Sequence, residues 1–369
     1  MSSGGDDLTG LTELTELTEH ELGAIANVLS EAAAVKGPLS ARRVAGGRSN
    51  RTFVLTDDVS AWVLRTPPRT GRTPSAHDVG REYRVTSALA PAGVPVPPPV
   101  LFHPDEDLIG GPFAVAEFVP GATIQSRDQL HALGTAPGTG PGTATATATA
   151  AIKAAAEELV AVLAALHHVD HTAAGLGDFG KPGGYAQRQL RRWSGQWELV
   201  GPTELNSLAQ EVIRRLLTSL PRQRAVSVVH GDFRIDNTIL DLADSARPRV
   251  AAIVDWELST IGDPVADVAL MCAYRAPAFD LVVGAPSAWT SDRLPPAPAL
   301  AAAYEAAGGV ALTDWNAHLT LAYFKIAVIA AGIDYRYRLG AASGPGFDTA
   351  GQSVEDFLEL GRAVLRRPS

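Results

Sequence analysis

The chain has almost no cysteine, no long apolar run and no surplus of positive charge, and each shortage removes a class of protein. Of its 369 residues only one is cysteine, Cys272. A lone thiol cannot build an internal disulfide framework and fits a reducing, cytoplasmic setting. Its place in the apolar run Val268-Ala269-Leu270-Met271-Cys272 marks a small core residue rather than a nucleophile. Although 46% of the residues are hydrophobic, most of the excess is alanine, and no uninterrupted run reaches the length of a membrane span. The N-terminal stretch 1–19 is polar and threonine-rich, without a basic segment followed by an apolar one, so no secretory signal is expected there. The formal charge of −9 argues against a nucleic-acid binder that works by neutralising phosphates. It says little about small substrates, because the charge of a cleft can differ from the total. Neither nucleic acid nor membrane is expected as a partner, and a monomer and a homodimer both stay open.

The remaining composition supports two lobes with real cores. Leu11-Thr12-Glu13-Leu14-Thr15-Glu16 repeats every three residues, which is no helical period, so 1–20 reads as a mobile tail running into a helix over about 21–34. The strand signals Thr52-Phe53-Val54-Leu55 and Ala61-Trp62-Val63-Leu64-Arg65 flank the polar Asp57-Asp58 turn and predict a β-hairpin. A helix over 77–89, ended by Pro91, precedes a strand pair near 100–102 and 113–118. From 134 to 150 the chain is nearly all Gly, Thr, Ala and Pro, and a disordered surface insertion is expected on composition. Apolar residues at helical spacing (Ile152, Leu159, Leu163, Leu166) then predict a buried helix over 152–168. Further helices are expected over 184–197 and 204–217, and short strands over 226–229, 238–242 and 250–254. Asp263-Pro264 is a helix start, with aspartate as cap and proline at the first helical position. The rest reads as mostly helical. The expected plan is α+β and bilobal, with a small β-rich nucleotide-binding lobe over 21–118 and a larger, mainly helical lobe over 119–369.

The segment that carries chemistry is Val228-Val229-His230-Gly231-Asp232-Phe233-Arg234-Ile235-Asp236-Asn237, followed by Ile253-Val254-Asp255-Trp256-Glu257. One carboxylate on a loop after a strand, an asparagine five residues on and a second carboxylate after another strand suit phosphoryl transfer from a magnesium nucleotide. Asp232 and His230 are the candidate catalytic residues. Asp232 accepts a hydrogen bond from a hydroxyl nucleophile and aligns it, while His230 braces the loop. Asn237 and Asp255 supply hard oxygen ligands suited to Mg²⁺. Taken singly, His-Gly-Asp is also a common turn and Asp255 a strand-end cap; the spacing of the whole set is what speaks for function.

This pattern, with Gly262-Asp263-Pro264 and Asp267 behind it, resembles the aminoglycoside phosphotransferase-like kinases, whose fold is similar to that of protein kinases. Within that family the chain looks closest to the kinase-like domain of some acyl-CoA dehydrogenases, on Gly47-Arg48-Ser49-Asn50, Val63-Leu64-Arg65, Arg81-Glu82-Tyr83, Glu117-Phe118-Val119-Pro120-Gly121 and Gln189-Leu190-Arg191-Arg192-Trp193. The resemblance implies that ATP and Mg²⁺ are the cofactors and that Gly46, Gly47, Ser49 and Asn50 form the loop over the phosphates. It implies phosphate contact for Arg65, where protein kinases place lysine, with Glu82 as its ion-pair partner. It also implies adenine contact for the backbone of Glu117 and Val119 at a hinge. Asp267 is expected to hydrogen-bond the loop backbone. Asp255 is followed by Trp-Glu rather than Phe-Gly, so a glycine-dependent loop flip is not expected.

The acceptor stays open. A polycationic aminoglycoside calls for a pocket of carboxylates, yet Asp314, Asp334, Glu355 and Asp356 are mixed with Arg188, Arg191, Arg192, Lys325, Arg336 and Arg338. The cations suit an anionic acceptor such as a hydroxyacyl-coenzyme A, or are solvated helix faces. A nucleotide-binding pseudokinase acting as regulator or scaffold is the alternative from another class. A protein kinase is disfavoured by the missing Asp-Phe-Gly and Ala-Pro-Glu segments.

Overall fold

The computed structural model describes residues 17–44, 50–69, 78–133, 141–244, 247–340 and 344–365, and the chain divides into two compact units. The first comprises Met1–Ala90 with Pro97–Phe118, the second Pro91–Val96 with Val119–Ser369.

The first unit opens with helix α1 (Glu19–Ala32). It starts earlier than the repeat suggested because Thr18 and Glu21 form a capping box: the Thr18 side chain accepts from the Glu21 N–H and the Glu21 carboxylate from the Thr18 N–H. Residues 17–20, placed in the tail from sequence, are therefore structured, while 1–16 lie outside the described residues. Strands β1 (Ser40–Arg43), β2 (Arg51–Thr56), β3 (Ala61–Thr66), β4 (Pro99–His103) and β5 (Phe113–Glu117) form one antiparallel sheet in the order β1-β2-β3-β5-β4. Between β3 and β4 runs helix α2 (Val79–Leu89), capped by Asp78. Strands β2 and β3 alternate strictly between buried and half-buried positions, so Phe53, Leu55, Trp62 and Leu64 meet Ile25 and Leu29 of α1 in one core. Full burial of each such side chain contributes about 1.5–3 kcal/mol.

The second unit is mainly helical. After α3 (Arg127–Ala132) comes α4 (Pro141–His167), which corrects the expected disorder over 134–150: residues 141–150 are helical, and 134–140 lie outside the described residues. The alternating Thr-Ala run lacks a strong apolar stripe. Alanine's helix propensity, a proline at the start and continuity with the buried stripe Ile152, Leu159, Leu163 and Leu166 carry the helix upstream. Helices α5 (Tyr185–Val200) and α6 (Asn206–Thr218) follow. Then come strand β6 (Ser227–Val229), the ribbon of β7 (Thr238–Asp241) and β8 (Arg249–Ile253), and β9 (Thr260–Gly262), which pairs antiparallel with β6. Helices α7 (Pro264–Ala273), α8 (Phe279–Val283), α9 (Ala297–Ala306), α10 (Trp315–Arg338) and α11 (Val354–Val364) complete the unit. By length and composition α10 could cross a bilayer, but most of it is buried against α5, α7 and α11.

Candidate active site

Two short ladders fix the motif loop. Strand β6 is wholly buried and delivers His230 at its end, and β9 pairs with it from Val229↔Thr260 to Ser227↔Gly262. In the other ladder Thr238 pairs with Ile253 and the Val254 N–H donates to Asn237 O at 2.9 Å. Asn237 and Asp255 thereby lie at the same end of the β7–β8 ribbon.

Between them the loop turns sharply at Gly231, whose φ is +83°. A β-carbon there would stand 2.6 Å from the carbonyl oxygen of Leu258, so glycine is required both for the backbone and for space. The buried Asp267 on α7 holds this turn: Oδ2 accepts from the His230 N–H at 2.6 Å and Oδ1 from the Gly231 N–H at 2.7 Å. Burial alone would raise its pKa. The His167 side chain, the neighbouring His230 and the Gly231 N–H together outweigh that and hold it below the ordinary carboxylate value. Behind it, His167 Nε2 lies 3.4 Å from Oδ2 while Nδ1 bonds the Tyr304 hydroxyl at 2.8 Å.

His230 is fully buried. The Asp232 N–H donates to its Nδ1 at 3.2 Å, which makes Nε2 the protonated nitrogen, donating to Val254 O at 3.0 Å. Both ring nitrogens are thus spent on bracing the two ladders against each other. Asp232 is held on both oxygens: Arg234 Nη1 donates to Oδ1 at 2.8 Å and Asn237 Nδ2 to Oδ2 at 3.0 Å. Asn237 Nδ2 also reaches Asp232 O at 2.7 Å, and no N–H among the described residues donates to Asn237 Oδ1. Asp255 adopts left-handed backbone angles (φ 65°, ψ 59°), an unusual conformation for a non-glycine residue and one that persists where the surroundings impose it. Asp263 caps α7 through the Val265 N–H at 3.0 Å, and burial pushes its pKa up to about 6.

In the first unit, Arg65 on β3 pairs with Glu82 on α2, with Nε 3.1 Å from Oε2. Asn50 is buried and its Nδ2 donates to Glu82 Oε1 at 2.7 Å, so its amide is tied to this pair. Gly46, Gly47 and Ser49 lie outside the described residues. Glu117 ends β5, with its N–H on Pro98 O at 2.8 Å; Val119 begins the longer segment of the second unit. His230, Asp232, Asn237 and Asp255 are brought together in the second unit, and Asn50, Arg65 and Glu82 in the first.

Sequence reasoning overlooked Arg234 and Tyr274. Arg234 also binds Asp236 through Nε and Nη2, both at 2.9 Å, and lies over the rings of Tyr274 and Phe279. The pattern Asp232-x-Arg234-x-Asp236 carried that signal. Tyr274, whose ring lies against the Arg234 guanidinium that holds Asp232, is far along the chain and had no local signal; burial and the nearby Asp232 raise its pKa well above the usual tyrosine value.

Known proteins resemble this chain in family and in fold. A model of the phosphotransferase enzyme family matches residues 40–318. The chain is 34% identical over 340 residues to acyl-CoA dehydrogenase family member 11 of Gallus gallus, covering 90% of this chain and 41% of that protein. It is 34% identical over 328 residues to family member 10 of Mus musculus, covering 88% of this chain and 29% of the other. The chain thus spans less than half the length of these curated relatives. Among solved structures, a Ralstonia eutropha protein assigned to the aminoglycoside phosphotransferases superposes with a TM-score of 0.74 at 32% identity, covering 93% of this chain and 98% of its own. The aminoglycoside phosphotransferase APH(4)-Ia, solved with AMP-PNP and hygromycin B, shares the fold at a TM-score of 0.56 and 16% identity, covering 93% and 98%. The bilobal α+β, protein-kinase-like architecture expected from sequence is the fold of these neighbours.

Proposed function

The chain belongs to the phosphotransferase enzyme family, and from that premise and the geometry of the Asp232 loop we propose that it moves the γ-phosphate of ATP to a hydroxyl of a small molecule. The observation that carries the proposal is the fixing of Asp232 by Arg234 and Asn237, two side chains on two different oxygens. A carboxylate clamped in this way is suited to orienting an incoming hydroxyl, which is the chief demand of a loose phosphoryl-transfer transition state. His230 acts as a brace, since its nitrogens are both engaged within the loop.

The residues present fit a magnesium ion. Asn237 turns its amide nitrogen to Asp232, which leaves Oδ1 as an oxygen ligand, and Asp255 stands at the same ribbon end in a conformation the fold imposes. Among the described residues no group of three His, Cys, Asp or Glu side chains forms a self-sufficient metal cage. Such a pair suits a cation that takes its other oxygens from nucleotide phosphates and water. When bound, the ion neutralises phosphate charge during transfer. Arg65, oriented by Glu82, would meet the α- and β-phosphates, and its planar fork can do so at two points. The backbone of Glu117 and Val119 would meet the adenine.

Two acceptor classes follow from the relatives: an acyl compound bearing a hydroxyl, suggested by the acyl-CoA dehydrogenase names, and an aminoglycoside, suggested by the structural neighbours. Cytoplasmic action is part of the proposal. The test is release of ADP from magnesium-ATP across a panel of hydroxyacyl compounds, aminoglycosides, macrolides and amino alcohols. Asp232→Asn is expected to lower turnover about a thousandfold while nucleotide still binds. Asp255→Ala is expected to weaken magnesium-dependent nucleotide binding. Nucleotide binding with no acceptor phosphorylated would favour the pseudokinase alternative.

A further inference from the structure

The backbone of the turn that carries Asp232 is held from three sides. The Gly231 N–H donates to Asp267 on α7 at 2.7 Å, the Asp232 N–H donates to His230 Nδ1 at 3.2 Å, and the Gly231 carbonyl accepts from the Lys325 ammonium on α10 at 3.0 Å. The last two bonds grip opposite sides of one peptide unit, the one that joins Gly231 to Asp232. Glycine at a φ of +83° lacks the β-carbon that would restrain rotation of this unit, so its orientation depends on those two partners.

Lys325 stands on α10 between Phe324 and Ile326, both buried in the core. Its ammonium lies 5.8 Å from the centre of the Trp193 ring on α5, within the range of a cation–π contact. The charges that face it are Asp232 and Arg234 on the loop, Asp267 on α7 and Arg192 on α5; the carboxylates favour the ammonium and the guanidinium groups oppose it. The chain has four lysines, Lys36, Lys153, Lys181 and Lys325, and the first three are exposed. Replacing a buried charge by an apolar side chain of similar volume is often neutral or stabilising. Stability alone therefore gives no reason for a lysine at this place, whereas the carbonyl next to Asp232 does.

We propose that Lys325 is a positioning residue for the phosphoryl transfer inferred above: from a buried helix it fixes the Gly231–Asp232 peptide and thereby the place of the Asp232 carboxylate. This rests on the phosphotransferase reading and adds to it a group that acts through the loop. Burial lowers the pKa of Lys325 to about 8, against the pull of Asp232 and Asp267. Below that pH the donor is an ammonium. Above it the donor is a neutral amine, whose bond to a carbonyl is about half as strong. The anchor therefore weakens as pH rises through 8. Tyr185 on α5 is raised by burial, Asp267 is lowered, and burial pushes His318 on α10 down to about 4, so none of these changes charge in that range.

The experiment compares the full-length wild type with Lys325→Met, which keeps most of the side-chain volume and removes the charge, and with Lys153→Met on the exposed face of α4 as control. Hydrogen exchange over 228–237 is expected to speed up about tenfold or more in Lys325→Met. With an acceptor from the panel above, kcat should fall about a hundredfold while the KM for ATP changes less than about twofold. The thermal midpoint should stay within about 4 °C of wild type, and Lys153→Met should match wild type throughout. The wild type itself should lose kcat as pH rises through about 8, a measurement that stands even where the variant fails to fold. The proposal is overturned by unchanged loop exchange in Lys325→Met, by a kcat within about twofold of wild type, or by a wild-type kcat that stays flat to about pH 10. A midpoint lowered by about 10 °C or more along with kcat would show a merely structural role and overturn it as well. Loop exchange that depends on Lys325 with no acceptor phosphorylated would sink the phosphotransferase reading, whereas transfer indifferent to Lys325→Met would sink the positioning role alone.

Discussion

Replacing Asp267 removes a buried anion on which the Asp232 loop hangs. Its carboxylate accepts from two consecutive backbone N–H groups, at 2.6 and 2.7 Å, and is itself almost inaccessible to water. A hydrogen bond to a charged acceptor contributes about 1.5–3 kcal/mol, and a buried donor left without a partner adds a further desolvation cost. Asp267→Ala is therefore expected to destabilise the second unit by about 3–5 kcal/mol. At roughly 2–4 °C per kcal/mol for a unit of this size, its thermal midpoint should fall by about 10 °C. Asp267→Asn keeps the volume and one acceptor but turns an amide toward the other N–H, and about half that loss is expected. Scanning calorimetry on both variants measures this. The pH sign follows from the lowered pKa. The stabilisation is fully present above the unfolded-state value near 4 and is lost as pH falls through the lower folded-state value, so the gap between wild type and Asp267→Asn should close in strong acid. Turnover should fall as well, because a displaced Gly231 moves Asp232, and an error of about 1 Å at a reacting group costs on the order of a hundredfold. An unchanged midpoint in Asp267→Ala would refute the assignment of Asp267 as the anchor of the loop.

Other expectations follow from neighbouring features. Gly231→Ala forces a β-carbon onto Leu258 O at a positive φ; activity should drop at least a hundredfold, and wild-type turnover in a folded variant would count against the tight turn. Arg234→Lys keeps the charge but loses the fork that spans Asp232 and Asp236, so kcat should fall with the KM for ATP little changed. Cys272 is 1% exposed and burial pushes its pKa up to about 12, so a thiol reagent at neutral pH should label it only on unfolding; rapid labelling of the native chain would contradict its place in the core.

Much of this was legible in sequence where short-range physics decides. The hairpin of β2 and β3 follows from period-two alternation, and α7 starts at Asp263-Pro264 as capping chemistry requires. The motif loop was legible because its residues are close in sequence and each has a distinct chemical type. Composition misled over 141–150, where low complexity suggested disorder and alanine content with a downstream buried stripe gave a helix. Strand β9 is three residues long and gains its partner only through β6, so no local pattern announces it. The contact of Lys325 with the Gly231 carbonyl was illegible for a similar reason. Lys325 was one cation among several, and only packing of α10 against α5 and the Gly231 turn separates it from the solvated arginines.

The arrangement around Asp232 also bears on how the loop works. A general base needs an oxygen that can take a proton in full, whereas both oxygens here already accept hydrogen bonds, one from a guanidinium that is itself buried and shared with Asp236. Taking a proton would weaken the bond to Arg234 and leave part of that cation uncompensated among the Tyr274 and Phe279 rings. For the proposed phosphoryl transfer, the shell therefore favours Asp232 as a fixed acceptor that would align a hydroxyl and receive its proton only late, after the phosphorus–oxygen bond has begun to form. The same logic assigns Asn237 a double use. Its nitrogen sets the rotamer of Asp232 and its oxygen would be left for the proposed cation, so nucleophile alignment and metal position would be coupled through one side chain. Asn237→Asp should break that coupling. The added carboxylate would face Asp232 where an N–H now donates, so metal affinity should survive while kcat falls, and a variant with unimpaired kcat would show that the amide bond to Asp232 is dispensable.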